Sequence, residues 1–506
     1  MRGNVFIVHR IVAATILASA VSQAQTSPAT RVGPPRGTVI VVGGGALGQE
    51  ITDQFIKAAG GPDALIIDVP NAGGASSYGQ DAPGARMWKK AGARNVHVLF
   101  TTDRKLADAD SFVAVLKHAG GVWFEGGRQF HLVDAYAGTK TEQAFREVLA
   151  RGGVVGGSSA GASILGDFLV RGAPSNNNSI MDYPGYEKGF AYLRGVGIDQ
   201  HVVARERLAD LADSIMTTHP QLLGISEDEG TAWVVRGDTA TIIGRDKAFV
   251  YGGRDATDPG TPFVTLHPGD RYDLGARHVM HRAADDSPVS AAFVDSLFRK
   301  YDAPIAGGAT VLVARNGEVF IDRSYGVPPQ TKYMPTTTLP QFQLGNISAV
   351  FSALCAQLPA PNAGSASAGA AAAGGVAGRA SAPSTPFQSC VTRQLGVPIG
   401  LHRTVAAADG TVQSDVDELY RLELGLENPG TYAGADYAKG WQAGTYHGVA
   451  RLSAFGSVDG KRNAFVRIPD ERAVVIVLTN DPTADAERMA NAITDRLLTS
   501  DSTTRR

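Results

Sequence analysis

The sequence predicts an α/β protein in its N-terminal half, with a mostly parallel sheet covered by helices on both faces, followed by an α+β region. Short β-branched runs such as Thr38–Val42 alternate with segments of helical periodicity, which is typical of parallel strands buried on both faces. Glycine-rich loops follow three of these runs, at 43–48, 126–127 and 156–157. Because the carboxyl ends of parallel strands meet at one edge of a sheet, we expect the three loops to line one crevice.

Length and composition indicate a globular protein with more than one domain. The 506 residues exceed what one hydrophobic core usually serves, and 43% hydrophobic with 19% charged residues excludes a disordered or membrane-spanning chain. We expect two domains, at 37–280 and 281–502. The formal net charge of −2 provides no basic surface, so we expect no nucleic-acid partner.

The first residues have the pattern of an export signal. Basic residues lie within 1–10, residues 11–21 are apolar, and Ser22-Gln23-Ala24 is a small-x-small cleavage sequence. The apolar core is too short to span a bilayer. We expect cleavage after Ala24, a flexible mature N-terminus over 25–36, and a periplasmic or secreted product without membrane attachment.

Periodicity assigns the elements of the N-terminal half in alternating order. Continuous apolar runs predict strands, and runs with a period near 3.6 predict helices. The predicted strands are 38–42, 64–69, 95–100, 121–124 and 154–155, and the predicted helices are 49–59, 108–118, 130–136 and 141–151. A polar stretch rich in Gly, Pro and Asp, at 252–286, marks the end of this half.

The loop at 43–48 has the spacing G-x-G-x-x-G directly after a strand, and Asp68 lies about twenty residues further on. This is the fingerprint of a dinucleotide-binding fold, in which the glycines approach a pyrophosphate and the acid binds a ribose. A single glycine fingerprint is not specific, and the other motifs do not support it. NAD(P) binding is therefore kept as a minor alternative.

The segment around Ser159 predicts a nucleophile elbow. Two valines at 154–155 lead into a run of small residues at 156–162 and then into an apolar helix. A serine on such a strand-to-helix corner has an exposed hydroxyl, and the following amide, that of Ala160, can meet a developing oxyanion. The alternative is a turn that uses small residues for packing alone.

His201 is the candidate base for such a serine. It lies at the end of an apolar run, well after Ser159 along the chain, with Asp199 and Gln200 directly before it. Imidazole has a suitable pKa to accept the serine proton. A lone histidine is otherwise more often a plain surface or core residue.

Four motifs, taken together and in their order along the chain, resemble those of one known family. They are Gly126-Gly-x-Gln129, Gly157-Ser-Ser159-Ala-Gly-Ala162, Asp199-Gln-His201-x3-Arg205-x-Arg207 and Gly224-Ile-Ser-Glu-Asp-Glu-Gly-Thr-Ala232. The combination is similar to the cyanophycinase branch of the serine peptidases, family S51, over about residues 36–275. The resemblance implies a class I glutamine-amidotransferase-like α/β fold. It also implies cleavage of cyanophycin, a poly-aspartate with arginine on its β-carboxyls, or of related aspartyl peptides, without a metal or other cofactor.

The resemblance assigns roles by position. Ser159 is the nucleophile, His201 the general base, and the amides of Ala160 and Gly127 form the oxyanion hole. Five further side chains shape the substrate pocket: Gln129, Asp199, Gln200, Arg205 and Arg207. Arginine suits an acidic substrate because its planar guanidinium can bind a carboxylate through two hydrogen bonds. The structural alternatives are a helix cap for the glutamine at 129 and a solvated helix face for the two arginines.

Two charged positions depart from the pattern of the family. Arg128 stands where the family has an aspartate in the Gly-Gly-x-Gln motif, and Asp210 falls where a third arginine is expected. Both changes reverse a charge at the rim of the expected pocket. The substrate preference is therefore open.

The acidic partner of the histidine is also missing from its expected place. The family has it fifteen to twenty residues past the serine, and the matching stretch 174–179 has no carboxylate here. Asn177 is the candidate that could orient His201 by a hydrogen bond, as in Cys-His-Asn proteases. Asp182 or Glu187 is the alternative, and an impaired enzyme is a third reading.

The C-terminal half resembles the serine β-lactamase and penicillin-binding-protein fold. Alternating runs at 308–317 and 318–326, joined at Asn316-Gly317, predict a hairpin. A helix beginning near 345 and closing strands and a helix follow in the order of that fold.

The chemistry of that fold is not retained. The nucleophile and lysine positions of its Ser-x-x-Lys motif are Asn346 and Ala349, and neither side chain can perform the reaction. Ser348 as a substitute nucleophile lacks a lysine partner. We expect a truncated pseudoenzyme that provides stability, homodimer contacts or polymer binding.

Cys355 and Cys390 flank a low-complexity Ala/Gly/Ser insert, residues 359–386, which we expect to be disordered. In an oxidising compartment the two cysteines can form one disulfide across the insert. Two free thiols are the alternative, and the bridge is favoured.

Together these features predict an exported serine-type peptidase that hydrolyses cyanophycin or related aspartyl peptides to dipeptides through an acyl-enzyme. Two alternatives stay open. One is an aspartyl or isoaspartyl dipeptidase acting on short peptides, and the other is a catalytically inactive binding protein.

Overall fold

The computed structural model describes residues 31–174, 180, 182–258, 260–301, 308–326, 341–358, 385–428, 431–432 and 434–499. The described residues belong to one compact unit that begins at Arg31. The predicted signal segment, the first part of the predicted flexible N-terminus, Asn177 and most of the 359–386 insert lie outside the described residues. Within the described ranges, no helix combines the length and the apolar character needed to cross a membrane.

Strands and helices alternate through the first part of the N-terminal half, residues 31–281, as predicted. The strands are β1 Thr38–Val42, β2 Leu65–Val69, β3 Asn95–Val98, β4 Ala119–Phe124, β5 Val154–Ser158, β6 Gly166–Phe168, β7 Leu193–Gln200, β8 Leu223–Glu227, β9 Thr231–Arg236, β10 Thr239–Gly244, β11 Ala248–Tyr251, β12 Phe263–Leu266, β13 Arg271–Asp273 and β14 His278–His281. The helices are α1 Gln49–Ala59, α2 Pro83–Lys90, α3 Arg104–Ala107, α4 Asp110–Val113, α5 Gln129–Tyr136, α6 Lys140–Ala150, α7 Ala160–Ser163 and α8 Met216–Thr218.

Nine of these strands form the larger sheet, in the order β14-β13-β10-β9-β1-β5-β4-β2-β3. The five strands from β1 to β3 in this order are parallel. The other four join antiparallel to their neighbours. The α/β class is confirmed, but the sheet is mixed rather than mostly parallel. The polar stretch 252–286 does not simply end this half, because β13 and β14 lie within it and extend the sheet.

The central strand β1 is covered on both of its faces. Successive side chains of a strand point to opposite faces. Ile40 and Val42 belong to the apolar cluster that contains Phe55 of α1. Val39 and Val41 belong to the cluster on the other face, which includes α6 and strands of a second sheet. This two-sided burial explains why the strand is an unbroken apolar run.

The second sheet has the order β12-β11-β8-β7-β6 among the described strands. Strands β6, β7 and β8 are parallel, and β11 and β12 are antiparallel. Gln200 at the end of β7 pairs with Glu227 at the end of β8. The residues that follow these two strands therefore emerge side by side.

The C-terminal half, residues 282–499, has an α+β arrangement. Its strands are β15 Ala309–Arg315, β16 Glu318–Tyr325, β17 Phe342–Gln343, β18 Val405–Ala406, β19 Val412–Ser414, β20 Gln442–Tyr446, β21 Val449–Val458, β22 Lys461–Ile468 and β23 Ala473–Thr479. Its helices are α9 Ala291–Phe298, α10 Ser348–Cys355, α11 Pro386–Ser389, α12 Val397–Ile399, α13 Val416–Glu427 and α14 Ala486–Thr499.

An antiparallel sheet in the order β16-β15-β23-β22-β21-β20 is the centre of this half. Helices α10 and α13 contribute to the apolar cluster on one face, and α9 and α14 contribute to the other. The hairpin predicted at Asn316-Gly317 is confirmed, and both residues have positive φ, 56° and 81°, as a two-residue turn of this kind requires. The identification of this half as a β-lactamase-like pseudoenzyme stays a prediction.

Two further expectations for the C-terminal half concern single side chains. The disulfide between Cys355 and Cys390 is confirmed. The hydroxyl of Ser348 is buried and accepts a hydrogen bond from the Val412 amide at 3.0 Å. A buried hydroxyl held in this way is not an accessible nucleophile, so the substitute role considered for Ser348 is not supported.

Helix α13 joins the two halves through buried charges. The Arg421 guanidinium, whose side chain is 1% exposed, lies 2.7 Å from Asp246 and 3.3 Å from Asp228. Lys247 Nζ lies 2.7 Å from Asp417 at the start of the helix. We call these five residues the buried ion network. Because a buried charge without a partner is strongly unfavourable, each half depends on the other for neutralisation.

Candidate active site

Ser159 lies on a sharp corner between β5 and α7. It has φ 58° and ψ −117°, with Ser158 ending the strand and Ala160 beginning the helix. Such a conformation is unfavourable for a residue with a side chain, so the surrounding structure must hold it. The Ser159 amide donates to the carbonyl of Val42, the last residue of β1, at 3.0 Å. The glycine-serine pattern thus forms the strand-to-helix corner that it predicts.

Two glycines allow the corner to close. A Cβ on Gly157 would lie 2.1 Å from the carbonyl oxygen of Gly161, and a Cβ on Gly161 would lie 2.0 Å from that of Phe124. Protein interiors are close-packed, and backbone atoms on both sides leave no room for either methyl group. The small residues are therefore required by the geometry of the corner.

His201 faces the nucleophile. Its Nε2 lies 2.8 Å from Ser159 Oγ, within the reach expected of a general base. The residue directly follows β7, has φ 58°, and its amide donates to the carbonyl of Gly43 at 3.1 Å. Its side chain is buried. The loops after β1, β5 and β7 thus meet at one place.

Glu229 continues the hydrogen-bonded series beyond His201. It follows β8, the strand beside β7, and its Oε1 bonds His201 Nδ1. A carboxylate can only accept hydrogen bonds, so this contact assigns the proton to Nδ1. Nε2 then presents its lone pair to the hydroxyl of Ser159, as proton transfer requires.

The partner proposed for His201 from the sequence is corrected by this contact. Asn177 lies outside the described residues, and Glu229 occupies the Nδ1 side of the imidazole. Asp182 instead bonds another histidine at 2.7 Å, and Glu187 bonds a backbone amide at 2.9 Å. The chain keeps an acidic partner, which comes from the loop after β8 rather than from 174–179.

The glycine loop at 43–48 packs against this acid–base pair. A Cβ on Gly44 would lie 2.1 Å from His201 Cε1, and a Cβ on Gly45 would lie 2.5 Å from Glu229 Oε2. The space above the glycines is thus filled by protein side chains. Asp68 has no exposed surface, and burial, with the nearby Glu125 carboxylate, raises its pKa to about 9. A carboxyl without exposed surface cannot reach a ribose hydroxyl, and the glycines leave no open space for a pyrophosphate, so these residues do not fit NAD(P).

The amides assigned to the oxyanion hole are available in the structure. Neither Ala160 N–H nor Gly127 N–H donates to a carbonyl oxygen of the described residues. Gly127 has φ 143°, and a Cβ on it would lie 2.0 Å from the carbonyl oxygen of Ala72. A Cβ on Gly126 would lie 3.2 Å from Ser159 Cβ, so this loop lies directly against the nucleophile. Fixed N–H donors in such a place can stabilise a developing oxyanion.

Several residues assigned to the substrate pocket are instead held by the protein. Asp199 is fully buried and accepts from Arg171 Nε at 2.8 Å and Nη2 at 2.9 Å. Asp210 accepts from the same guanidinium at 2.7 Å. The Gln200 side chain is buried near Ser163 Oγ, at 3.4 Å. The role of Asp199 is therefore corrected from substrate contact to holding Arg171, because a carboxylate without exposed surface cannot reach a ligand.

Gln129 and Arg128 lie where the loop after β4 enters α5. Gln129 is the first residue of α5 and is buried, whereas Arg128 is the residue that precedes the helix. Arg128 Nη2 donates to the carbonyl of Ala173 at 3.3 Å. Gln129 is thus not the cap of the helix, and its place in the pocket stays a prediction.

Arg205 and Arg207 lie in the turn directly after His201. The Arg205 amide donates to the His201 carbonyl at 3.0 Å. Both side chains are half-buried rather than on a solvated face. Burial lowers the pKa of both guanidiniums, to about 10 at Arg207, and the Arg171 charge adds to the lowering. They stay positive at neutral pH, and their incomplete solvation makes them receptive to a carboxylate.

The protonation states fit proton transfer from the serine. Burial lowers the pKa of His201 below its ordinary value of 6.5, the bond to Glu229 opposes this, and Arg205 and Arg207 add to the lowering. The imidazole is therefore neutral at neutral pH and can accept a proton. Burial alone would raise the pKa of Glu229, but hydrogen bonds from His201 and His402 hold it well below its usual range.

His402 is a residue of the site that sequence reasoning missed. It belongs to the C-terminal half, and its Nε2 lies 2.6 Å from Glu229 Oε2. No sequence signal links it to a loop so distant along the chain. Glu229 could have been found, because the motif Gly224–Ala232 contains it, but that motif was given no catalytic role. In the described part of the chain, no group of His, Cys, Asp or Glu side chains is arranged to hold a metal ion.

A hydroxyl, an imidazole and a carboxylate in hydrogen-bonded series lie beside two amides that donate to no carbonyl oxygen of the described residues. This arrangement defines a serine hydrolase of the triad type. The sequence model of Peptidase family S51 matches residues 39–243. A curated cyanophycinase from Synechococcus elongatus is 31% identical over 272 residues, which cover 49% of this chain and 82% of that protein. The chain therefore belongs to peptidase family S51 and is a serine-type peptidase.

A second curated relative matches over a similar extent. A cyanophycinase from Geminocystis herdmanii is 29% identical over 257 residues, covering 47% of this chain and 94% of that protein. A solved peptidase from an acI-B1 actinobacterium is 24% identical, with a TM-score of 0.37, over 48% of this chain and 98% of that chain.

Proposed function

We propose that this chain is an exported peptidase that releases dipeptides from cyanophycin, or from related aspartyl peptides, through an acyl-enzyme. The observation that carries the proposal is the hydrogen-bonded series Ser159–His201–Glu229. The half-buried guanidiniums of Arg205 and Arg207 beside it give the site its positive charge.

Acylation follows from the positions of these groups. Ser159 Oγ attacks the carbonyl carbon of the scissile bond while its proton moves to His201 Nε2. The carbonyl oxygen becomes an oxyanion, to which the amides of Ala160 and Gly127 donate, and the Glu229 carboxylate stabilises the imidazolium. When the intermediate collapses, the C–N bond breaks and the imidazolium gives its proton to the leaving amine. An ester on the serine remains.

Deacylation repeats the sequence with water as the nucleophile. His201 Nε2 takes a proton from the water as its oxygen attacks the ester carbon. The second oxyanion collapses, the C–O bond to Ser159 breaks, and the serine oxygen recovers its proton from the imidazolium. The released product carries a new carboxylate, and the enzyme returns to its starting state.

The charges near the site support an aspartyl substrate. Asp210, which replaces a cation of the family pattern, shares the Arg171 guanidinium with Asp199, so this cluster keeps one net negative charge. Arg205 and Arg207 supply positive charge near His201, and a guanidinium can bind a carboxylate through two hydrogen bonds. Each dipeptide unit released from a poly-aspartate leaves such a carboxylate at the cleavage point.

The same positive charge favours one alternative, an aspartyl or isoaspartyl dipeptidase that acts on short peptides with a free α-carboxylate. Such a substrate would place its terminal carboxylate against the two guanidiniums. An inactive binding protein is not favoured, because the three side chains that carry the chemistry stand within hydrogen-bond reach of each other.

Export is part of the proposal. The basic, apolar and small-residue segments at the N-terminus support it, and a disulfide in the C-terminal half is in keeping with an oxidising compartment. N-terminal sequencing of the mature protein from the periplasm or the medium is expected to begin at Gln25. An uncleaved protein confined to the cytoplasm would contradict export.

The activity is tested with cyanophycin granules and with aspartyl and isoaspartyl dipeptides, with products identified by mass spectrometry. The wild type should clear the granules and release Asp-Arg dipeptides, and Ser159→Ala should do neither. Ser158→Ala is the matched control, since it removes a neighbouring hydroxyl that does not bond His201. Turnover of the dipeptides alone would favour the alternative, and turnover of neither substrate would refute both.

A further inference from the structure

The acid of the triad is held from both halves of the chain. Glu229 Oε1 bonds His201, and its Oε2 lies 2.6 Å from His402 Nε2. The Glu229 side chain is 10% exposed and that of His402 is 34% exposed, so water competes little for the carboxylate. Each oxygen of the Glu229 carboxylate therefore contacts one imidazole, and these two contacts fix the orientation of the carboxylate.

His402 is itself anchored by α13. The carboxylate of Glu418 accepts hydrogen bonds from three consecutive amides, those of His402, Arg403 and Thr404, at 3.0, 3.1 and 3.0 Å. It also accepts from the Thr404 hydroxyl at 2.9 Å. Glu418 is almost fully buried. Charge-assisted bonds of this kind are among the stronger ones in proteins, so the backbone that carries His402 is firmly placed.

The same helix also supports the backbone that follows the base. Arg421 on α13 lies 3.3 Å from one oxygen of Asp228. The other oxygen of Asp228 accepts from the amides of Val203 and Ala204, at 3.0 and 2.8 Å. Helix α13 therefore reaches both members of the acid–base pair.

We propose that His402 is a positioning residue of the peptidase, and that the working series is Ser159–His201–Glu229–His402, completed by the C-terminal half. The proposal rests on the serine-peptidase chemistry described above and does not depend on which peptide is cleaved. It gives the C-terminal half a part in catalysis without requiring chemistry of its own.

The charges around His402 determine how it acts on the base. Glu229 faces it from the loop after β8, and Glu418 and Arg421 face it from α13, with Arg403 next to it in the chain. Burial would lower the pKa of His402, but the bond to Glu229 raises it above its ordinary value of 6.5.

A positive charge on His402 draws on the same carboxylate that stabilises the imidazolium of His201. Protonated His402 therefore makes His201 a weaker base, and an uncharged donor at the same place makes it a stronger one. His402→Gln keeps a donor near Glu229 and removes the charge. His402→Leu removes both the donor and the charge.

The test measures the rate at which a fluorophosphonate modifies Ser159 in the mature full-length protein as a function of pH. The pH range covers both the acid limb of this rate profile, where His201 becomes protonated, and its plateau. This readout needs no peptide substrate. For His402→Gln we expect a plateau near that of the wild type and an acid limb moved upward by about half a pH unit, because loss of a nearby cation raises the pKa of His201. For His402→Leu we expect a rate about tenfold to a hundredfold lower at every pH, because the base is no longer held in place.

The matched control is His447→Asn. His447 lies in the same half and also bonds a carboxylate, that of Asp495 at 2.8 Å, but it is exposed and not in contact with the site. Thermal unfolding is followed for every variant, and rates are normalised to the folded fraction. An unshifted acid limb in His402→Gln, together with a normalised His402→Leu rate like that of the control, would overturn the proposal.

The outcome separates this inference from the proposed substrate. Labelling of the wild type without turnover of cyanophycin would refute the substrate, while the shift and the rate loss at position 402 would still support the inference. Failure of the wild type to be labelled at Ser159 would overturn both.

Discussion

Replacing Glu229 with glutamine isolates the charge of the triad acid. The amide has the size of the carboxylate, so its oxygen can still accept from His201 Nδ1 while its NH2 group faces His402 Nε2. The geometry of the series is retained and the negative charge beside the imidazolium is lost. For charges about 4 Å apart at an effective dielectric constant of about 20, that attraction is about 4 kcal/mol. The expected loss in kcat/KM is therefore about a thousandfold.

The assay for Glu229→Gln is steady-state hydrolysis together with the rate of Ser159 labelling, and folding is checked by thermal unfolding. Glu206→Gln is the control, because it removes an exposed negative charge in the turn after His201 without touching the imidazole. We expect the kcat/KM of the control to stay within about threefold of the wild-type value, because salt screens the effect of an exposed charge. A loss of less than about tenfold in a well-folded Glu229→Gln would refute the assignment of Glu229 as the acid of the triad.

Three further outcomes are expected. The acid limb of kcat/KM should lie below pH 6.5, because burial holds the pKa of His201 below that value and activity requires the neutral imidazole. An acid limb above pH 6.5 would contradict the assignment of His201 as the base. Gly44→Ala should lose most activity or unfold, since the new Cβ would lie 2.1 Å from His201 Cε1 at a residue with φ 106°. A variant with the Ser159 labelling rate and melting temperature of the wild type would show that the loop does not constrain the base. Arg421→Met should lower the free energy of unfolding by about 3–5 kcal/mol, as expected when a buried ion pair loses one partner. Urea titration measures this, and a change below about 1 kcal/mol would mean that the buried ion network contributes little.

The nucleophile and the base could be predicted because their signals are local. Consecutive small residues around Ser159 indicate a serine corner between a strand and a helix, and His201 directly follows a strand. Parallel topology then brings such loops to one edge of a sheet. Glu229 lies within the motif 224–232, but its contact with His201 depends on the pairing of β7 with β8, which the motif alone does not show.

The burial of single side chains was the property least predictable from the sequence. Asp199 stands beside the base in the chain, which favoured a role in substrate binding, yet the alternation of β7 turns its side chain into the protein against Arg171. The stretch 252–286 reads as a loop because its strands are short and carry exposed polar residues, although β13 and β14 complete the larger sheet. His402 could not be found at all, because its role depends on the docking of one half of the chain against the other.

The buried ion network also restricts how this enzyme can be shortened or recombined. A fragment cut near residue 280 would be similar in length to the region shared with the relatives, but Asp228 and Asp246 would lose Arg421, and Lys247 would lose Asp417. In such a fragment, water would have to solvate these three charges in place of the partners that the C-terminal half supplies. For the same reason, charges on α13 and at 228–247 should change in concert in any lineage that keeps both halves.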